Sequence, residues 1–238
     1  MAFFHGTIFS KSLDMHTSIR VIVPDFSRMQ DCKILYLLHG WSGDSSDWTR
    51  HTLVERYAEE KGFAVVMPET HNSFYMDSTN PNGPNYFSYI ADELPRRCEQ
   101  IFGLEHVREK TFVAGLSMGG YGALKCGLSR PDRYAACASF SGAVNIQAVA
   151  QSTRTDVEPM DVKEDSDLWK LAVQTNALAE KPRILTTCGL SDFLYQDNLA
   201  FRDWMRKLDY TFTYMEWPGD HDWRFWDESL QKALDFFE

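Results

Sequence analysis

Gly115-Leu116-Ser117-Met118-Gly119-Gly120 constrains what this chain can fold into more than any other stretch of its 238 residues. The apolar run Thr111-Phe112-Val113-Ala114 leads into it, and Tyr121-Gly122-Ala123-Leu124-Lys125-Cys126 continues with helical spacing. A strand that becomes a helix within so few residues forces its flanking positions together, and glycine alone lacks the Cβ that would clash there. The serine is thereby presented at the top of a sheet, above a helix N-terminus that stabilises negative charge developing nearby. Five-residue matches of the Gly-x-Ser-x-Gly kind arise by chance. The strand before, the helix after and the third glycine at Gly120 make this one specific.

The rest of the chain supplies the sheet that such a turn needs. Thr17 to Val23 alternates and ends at Pro24, which predicts a hairpin with Phe3 to Ser10. Continuous apolar runs follow at 34–38, 63–67, 111–114, 135–140, 184–188 and 212–217, the pattern of strands covered on both faces. Helical stretches are expected over 47–61, 87–102 with a kink at Pro95, 117–129, 196–208 and 223–237. This alternation predicts an α/β fold: one domain over 1–238, a mostly parallel central sheet and helices on both faces. Thr70 to Asn85 reads as a surface loop. Val144 to Lys181 separates two strands by more than a crossover needs and reads as a small cap at about 144–181.

A serine hydroxyl becomes a useful nucleophile only when a base takes its proton. Where the serine stands on a turn of this kind, the chain order is serine, acid, histidine. Of the seven histidines only His221 follows Ser117, in a loop after the last apolar run. Asp192, at the end of the run Thr186-Thr187-Cys188-Gly189-Leu190-Ser191, is the favoured acid, because a carboxylate there can fix the imidazole tautomer. Asp197, Asp220 and Asp222 compete with it. The tetrahedral oxyanion needs backbone donors. The N–H of Met118 is one; the N–H of Trp41, with Ser42 as the neighbouring alternative, is expected from Leu37-Leu38-His39-Gly40-Trp41-Ser42-Gly43. His39 reads as a structural tie. Phe74, Tyr75, Tyr195, Trp223 and Trp226 are candidates, with Trp41, to line the pocket.

Charge and cysteine usage exclude other classes. The formal net charge is −10, so phosphate backbones and anionic lipid surfaces are repelled, and neither nucleic acid nor a membrane is expected as a partner. The acidic stretch Asp156 to Asp167 reads as a solvated loop. Five cysteines without a CxxC pair read as reduced thiols, and the N-terminus lacks the basic-then-apolar pattern of a secretory signal, so a cytoplasmic location is expected. No stretch approaches the ~20 apolar residues of a membrane helix.

Taken together, Leu35-Tyr36-Leu37-Leu38-His39-Gly40, Phe112 to Gly122, Ala138-Ser139-Phe140-Ser141-Gly142-Ala143, Cys188-Gly189-Leu190-Ser191-Asp192-Phe193-Leu194-Tyr195 and His221-Asp222-Trp223 resemble the esterase D group of α/β-hydrolases, within it the tributyrin esterase branch. The resemblance covers nearly the whole chain. It implies the α/β-hydrolase fold and a carboxylesterase for short acyl groups with Ser117, Asp192 and His221 as its triad. No metal or organic cofactor is implied, the partner is a small-molecule ester, and a homo-oligomer is compatible with it. Related S-formylglutathione hydrolases and feruloyl or acetyl esterases are the alternatives it raises. A non-catalytic binding protein on this fold would be expected to have lost a triad member.

Overall fold

The computed structural model describes residues 1–25, 32–150 and 164–238. Its centre is an eight-stranded sheet: β1 (Ala2–Ser10), β2 (Met15–Val23), β3 (Lys33–Leu38), β4 (Phe63–Pro68), β5 (Thr111–Leu116), β6 (Ala136–Phe140), β7 (Arg183–Gly189) and β8 (Phe212–Trp217). Their spatial order is β1-β2-β4-β3-β5-β6-β7-β8. β1 and β2 form the expected hairpin and β2 runs antiparallel to β4, while every later pairing is parallel. This is the α/β-hydrolase arrangement.

Burial on both faces explains the continuous apolar runs. Ile34, Tyr36 and Leu38 of β3 point into one core with Val113 of β5, whereas Leu35, Leu37, Phe112 and Ala114 point into the other. The first core is closed by α4 (Leu94–Phe102), α5 (Met118–Ser129), α7 (Leu168–Asn176) and α8 (Tyr195–Met205). The second is closed by α1 (Asp47–His51), α2 (Val54–Lys61) and α9 (Trp223–Phe236). No helix of the described residues is long and apolar enough to cross a membrane.

Two expected helices differ in detail. The stretch 47–61 breaks at Thr52, which is extended at φ −135° and donates its hydroxyl to the Trp48 carbonyl. That side-chain bond competes with the helical ladder. The stretch 87–102 contains a π turn, Tyr89–Glu93, rather than a simple kink: the N–H of Leu94 reaches back five residues to the Tyr89 carbonyl. α3 (Tyr86–Ser88) precedes the turn, and Pro95, which has no N–H and crowds the preceding turn, falls in the first turn of α4.

The 144–181 stretch divides. α6 (Ile146–Ala150) follows β6, residues 151–163 lie outside the described residues, and α7 packs on α5 as the crossover helix between β6 and β7. Of the acidic stretch expected as a solvated loop, 156–163 lies outside the described residues. Its far end is structural: Asp167 caps α7 by accepting the N–H groups of Trp169 and Lys170, and the Tyr121 hydroxyl donates to the Ser166 carbonyl at 2.7 Å.

Candidate active site

Ser117 sits between β5 and α5 with φ +52° and ψ −115°, a conformation that an L-residue adopts only when its surroundings impose it. Its N–H donates to the Phe140 carbonyl at 2.8 Å, and its carbonyl accepts from Tyr121 and Ala143. A Cβ at Gly119 would lie 2.5 Å from the Leu38 carbonyl oxygen and 2.6 Å from that of His39. The helix can therefore approach β3 this closely only with glycine there.

The three separated residues meet at this edge. Ser117 Oγ is 3.0 Å from His221 Nε2, and His221 Nδ1 is 2.9 Å from Asp192 Oδ2. A carboxylate only accepts, so Nδ1–H donates to Asp192 and leaves Nε2 to accept the Ser117 hydroxyl proton. Asp192 is 5% exposed. Burial by itself would raise its carboxyl, yet the hydrogen bonds from His221 and from the N–H of Leu194 hold it below the usual carboxylate range. The competing acids have other duties. Asp197, on α8, accepts from the Asn145 amide at 3.3 Å. Asp220 accepts the backbone N–H of His221 at 2.8 Å, and Asp222 caps α9. The imidazole packs between two rings, Phe193 at 4.5 Å and Trp226 at 4.9 Å between centroids.

The loop after β3 stands across from the nucleophile. A Cβ at Gly40 would collide with the Leu116 side chain and lie 3.6 Å from Ser117 Cβ, which is why the loop can pass so close. The Ser42 N–H already donates to Asn72 Oδ1 at 2.7 Å, so Trp41 is the donor the loop keeps available of the two considered. The Met118 N–H opens α5, where helical geometry supplies no acceptor. His39 anchors the loop. Its Nδ1–H donates to the Gly40 carbonyl at 2.8 Å, its Nε2 accepts from the Thr70 N–H at 3.0 Å, and its own carbonyl accepts from the Tyr75 hydroxyl at 2.8 Å. Burial lowers the basicity of this ring below that of an ordinary histidine and keeps it neutral.

A cavity of about 840 Å³ opens over Ser117. Trp41, Phe74, Trp223 and Trp226 line it, as do Met118 and His221. Two expected lining residues do not. Tyr75 is wholly buried beneath the loop, with its hydroxyl committed to the His39 carbonyl and its ring against Gly122, while its neighbour Phe74 lines the cavity; both residues have positive φ. Tyr195 instead donates to Glu216 at 3.0 Å on the far side of α8's first turn. Sequence reading missed Phe193, beside the acid, and Ala148 and Val149, which α6 brings to the rim. It also missed Asn72, whose pairing thirty residues from Ser42 leaves no local signal.

The Esterase family, described as “Putative esterase”, matches residues 10–237. The chain belongs to this family. The esterase is 29% identical to an acetyl esterase of Caldicellulosiruptor saccharolyticus over 99% of this chain and 98% of that protein. Among solved structures it is similar to the fluorophosphonate-binding serine hydrolase FphF of Staphylococcus aureus, with a TM-score of 0.91 and 32% identity over 99% of this chain and 98% of the other. An S-formylglutathione hydrolase, FrmB, of the same organism has a TM-score of 0.87 and 33% identity over 99% and 98% of the two chains. The esterase is accordingly a carboxylic ester hydrolase of the serine type.

Proposed function

We propose that the esterase cleaves small carboxylic esters of short acyl groups through an acyl-enzyme on Ser117, with His221 as general base and acid and Asp192 as its orienting carboxylate. The observation that carries this reading is the unbroken relay Asp192–His221–Ser117, with 2.9 and 3.0 Å links. Ser117 Oγ attacks the ester carbonyl carbon as its proton passes to His221 Nε2. The N–H groups of Met118 and Trp41 stabilise the oxyanion, each worth roughly 3 kcal/mol in a site of this type. The imidazolium then protonates the leaving alcohol as the C–O bond breaks, and water repeats the sequence on the acyl-enzyme.

A cavity of about 840 Å³ has room for both halves of a small ester, and Trp41, Phe74 and the α6 residues Ala148 and Val149 are among the residues that line it. In this reading α6 acts as the cap over the cavity. A cytoplasmic location belongs to the same reading, supported by five free, buried cysteines. Replacing Ser117 by Ala is expected to abolish turnover of p-nitrophenyl acetate, and undiminished turnover would defeat the assignment. A panel from acetate to octanoate, beside feruloyl and acetyl-sugar esters, ranks the substrates. Size-exclusion chromatography decides whether the esterase is a homo-oligomer. The likeness to an S-formylglutathione hydrolase keeps a thioesterase as the second reading.

A further inference from the structure

Among the described residues, the carboxylates of the cavity wall face no lysine or arginine. Among the described residues that line it are Asp47, Asp197 and Asp222, together with His51 and His221, but neither lysine nor arginine. The Arg50 guanidinium lies 4.0 Å from Asp47, but its side chain is 63% exposed, where water and salt screen it. The Asp197 carboxylate receives an amide hydrogen bond from Asn145, and Asp222 accepts the Arg224 and Phe225 N–H groups at the start of α9. Neither bond cancels a full charge. Partial burial, and after it the neighbouring charge of Asp44, push the Asp47 carboxyl up.

The remaining wall favours the opposite sign. Trp41, Trp223 and Trp226 line the cavity, and Trp223 meets Trp226 edge to face at 5.2 Å while stacking on His51 at 4.6 Å. Indole faces attract cations and accept neutral groups. A carboxylate on the substrate gains nothing from these rings and meets three like charges in a partly enclosed cleft.

We propose that this cavity sorts acyl donors by charge. Neutral and cationic esters are the substrates; donors bearing carboxylates, glutathione thioesters among them, are disfavoured; and Asp197 and Asp47 are the specificity-determining residues. The proposal rests on Ser117 being the nucleophile at this cavity. It separates the esterase in substrate class from a glutathione-thioester hydrolase of the same fold.

The test compares kcat/KM for phenyl acetate, 4-acetoxybenzoate and 4-(trimethylammonio)phenyl acetate, each normalised to its alkaline hydrolysis rate. S-formylglutathione is a fourth substrate. At low ionic strength the expected order is cation, neutral, anion, with the anion roughly fivefold or more below the neutral ester, as Coulomb repulsion across a cleft of intermediate dielectric requires. Asp197→Asn raises the anion-to-neutral ratio about threefold, and 0.5 M salt narrows the gap. S-formylglutathione falls with the anion. If Asp47→Asn loosens the turn at α1, Asp197→Asn and the salt series still decide. Equal normalised values for all three esters, or a ratio moved by neither salt nor substitution, overturn the proposal while leaving the nucleophile in place. Turnover that survives Ser117→Ala would instead remove the reading beneath it.

Discussion

The two turns that face the Ser117 hydroxyl are held by different physics. The turn between β5 and α5 is local: a positive φ at Ser117 and a glycine at 119 that lets the helix press against the Leu38 and His39 carbonyls. The loop after β3 is held from a distance. Asn72 takes the Ser42 N–H, Thr70 donates to His39, and Tyr75 donates to the His39 carbonyl from beneath. One turn is enforced by exclusion and tolerates no added atom. The other also excludes a Cβ at Gly40, but the rest of it is assembled from hydrogen bonds and should fail by degrees. A reaction that needs one donor from each turn thus depends on a rigid partner and an adjustable one.

The contrast is sharpest where the expected effects are largest. Asp192→Asn leaves the shape but reverses the tautomer that His221 is held in, so kcat should drop roughly 10³- to 10⁴-fold with folding intact. A loss under tenfold would mean that another carboxylate serves. Gly119→Ala forces a Cβ into two carbonyl oxygens; soluble yield and thermal midpoint should fall together, with roughly 2–4 kcal/mol of stability lost. An unchanged midpoint would show that the helix can retreat from β3, and the turn would not be enforced as described.

Substitutions in the hydrogen-bonded loop should be milder and should divide kcat from stability. Asn72→Ala frees the Ser42 N–H and lets the loop drift, so kcat should fall roughly 10- to 100-fold while KM stays within about threefold. A change confined to KM would place Asn72 in substrate binding instead. Tyr75→Phe removes one hydrogen bond to a buried carbonyl and should cost about 1–2 kcal/mol in chemical denaturation.

The smallest effect concerns pH. The depressed basicity of His39 means that the unfolded chain binds a proton more readily than the folded one. Its contribution to stability is therefore complete above the ordinary histidine value of about 6.5 and is lost as pH falls below it. Thermal midpoints measured from pH 7.5 to 5 should decline in the wild type and decline less in His39→Asn. Equal slopes would contradict a neutral, buried His39.

The same division explains what the sequence disclosed. Strands buried on both faces read directly as apolar runs, and the elbow announced itself because sterics leave few residues able to build it. His221 stood out by chain order alone. The break at Thr52 and the π turn before Pro95 depend on a hydroxyl and a missing N–H competing with the helical ladder, and their outcome is set by packing. Phe74 and Tyr75 are adjacent aromatics of similar character, and both take positive φ; which one faces the cavity and which supports the loop depends on contacts with His39 and Gly122 that are distant in sequence. Asn72 acts on a partner thirty residues away, and Ala148 and Val149 enter the cavity from an insertion whose pattern carries no chemistry.

The most direct trial of the central claim is covalent capture. The esterase is treated with a fluorophosphonate, the intact mass is measured, and the adduct is mapped by peptide sequencing. One adduct per chain on Ser117, absent from Ser117→Ala and much slower to form in Asp192→Asn, is the predicted result. An adduct on a different residue, or equal labelling of wild type and Ser117→Ala, would contradict the relay as the source of the activity.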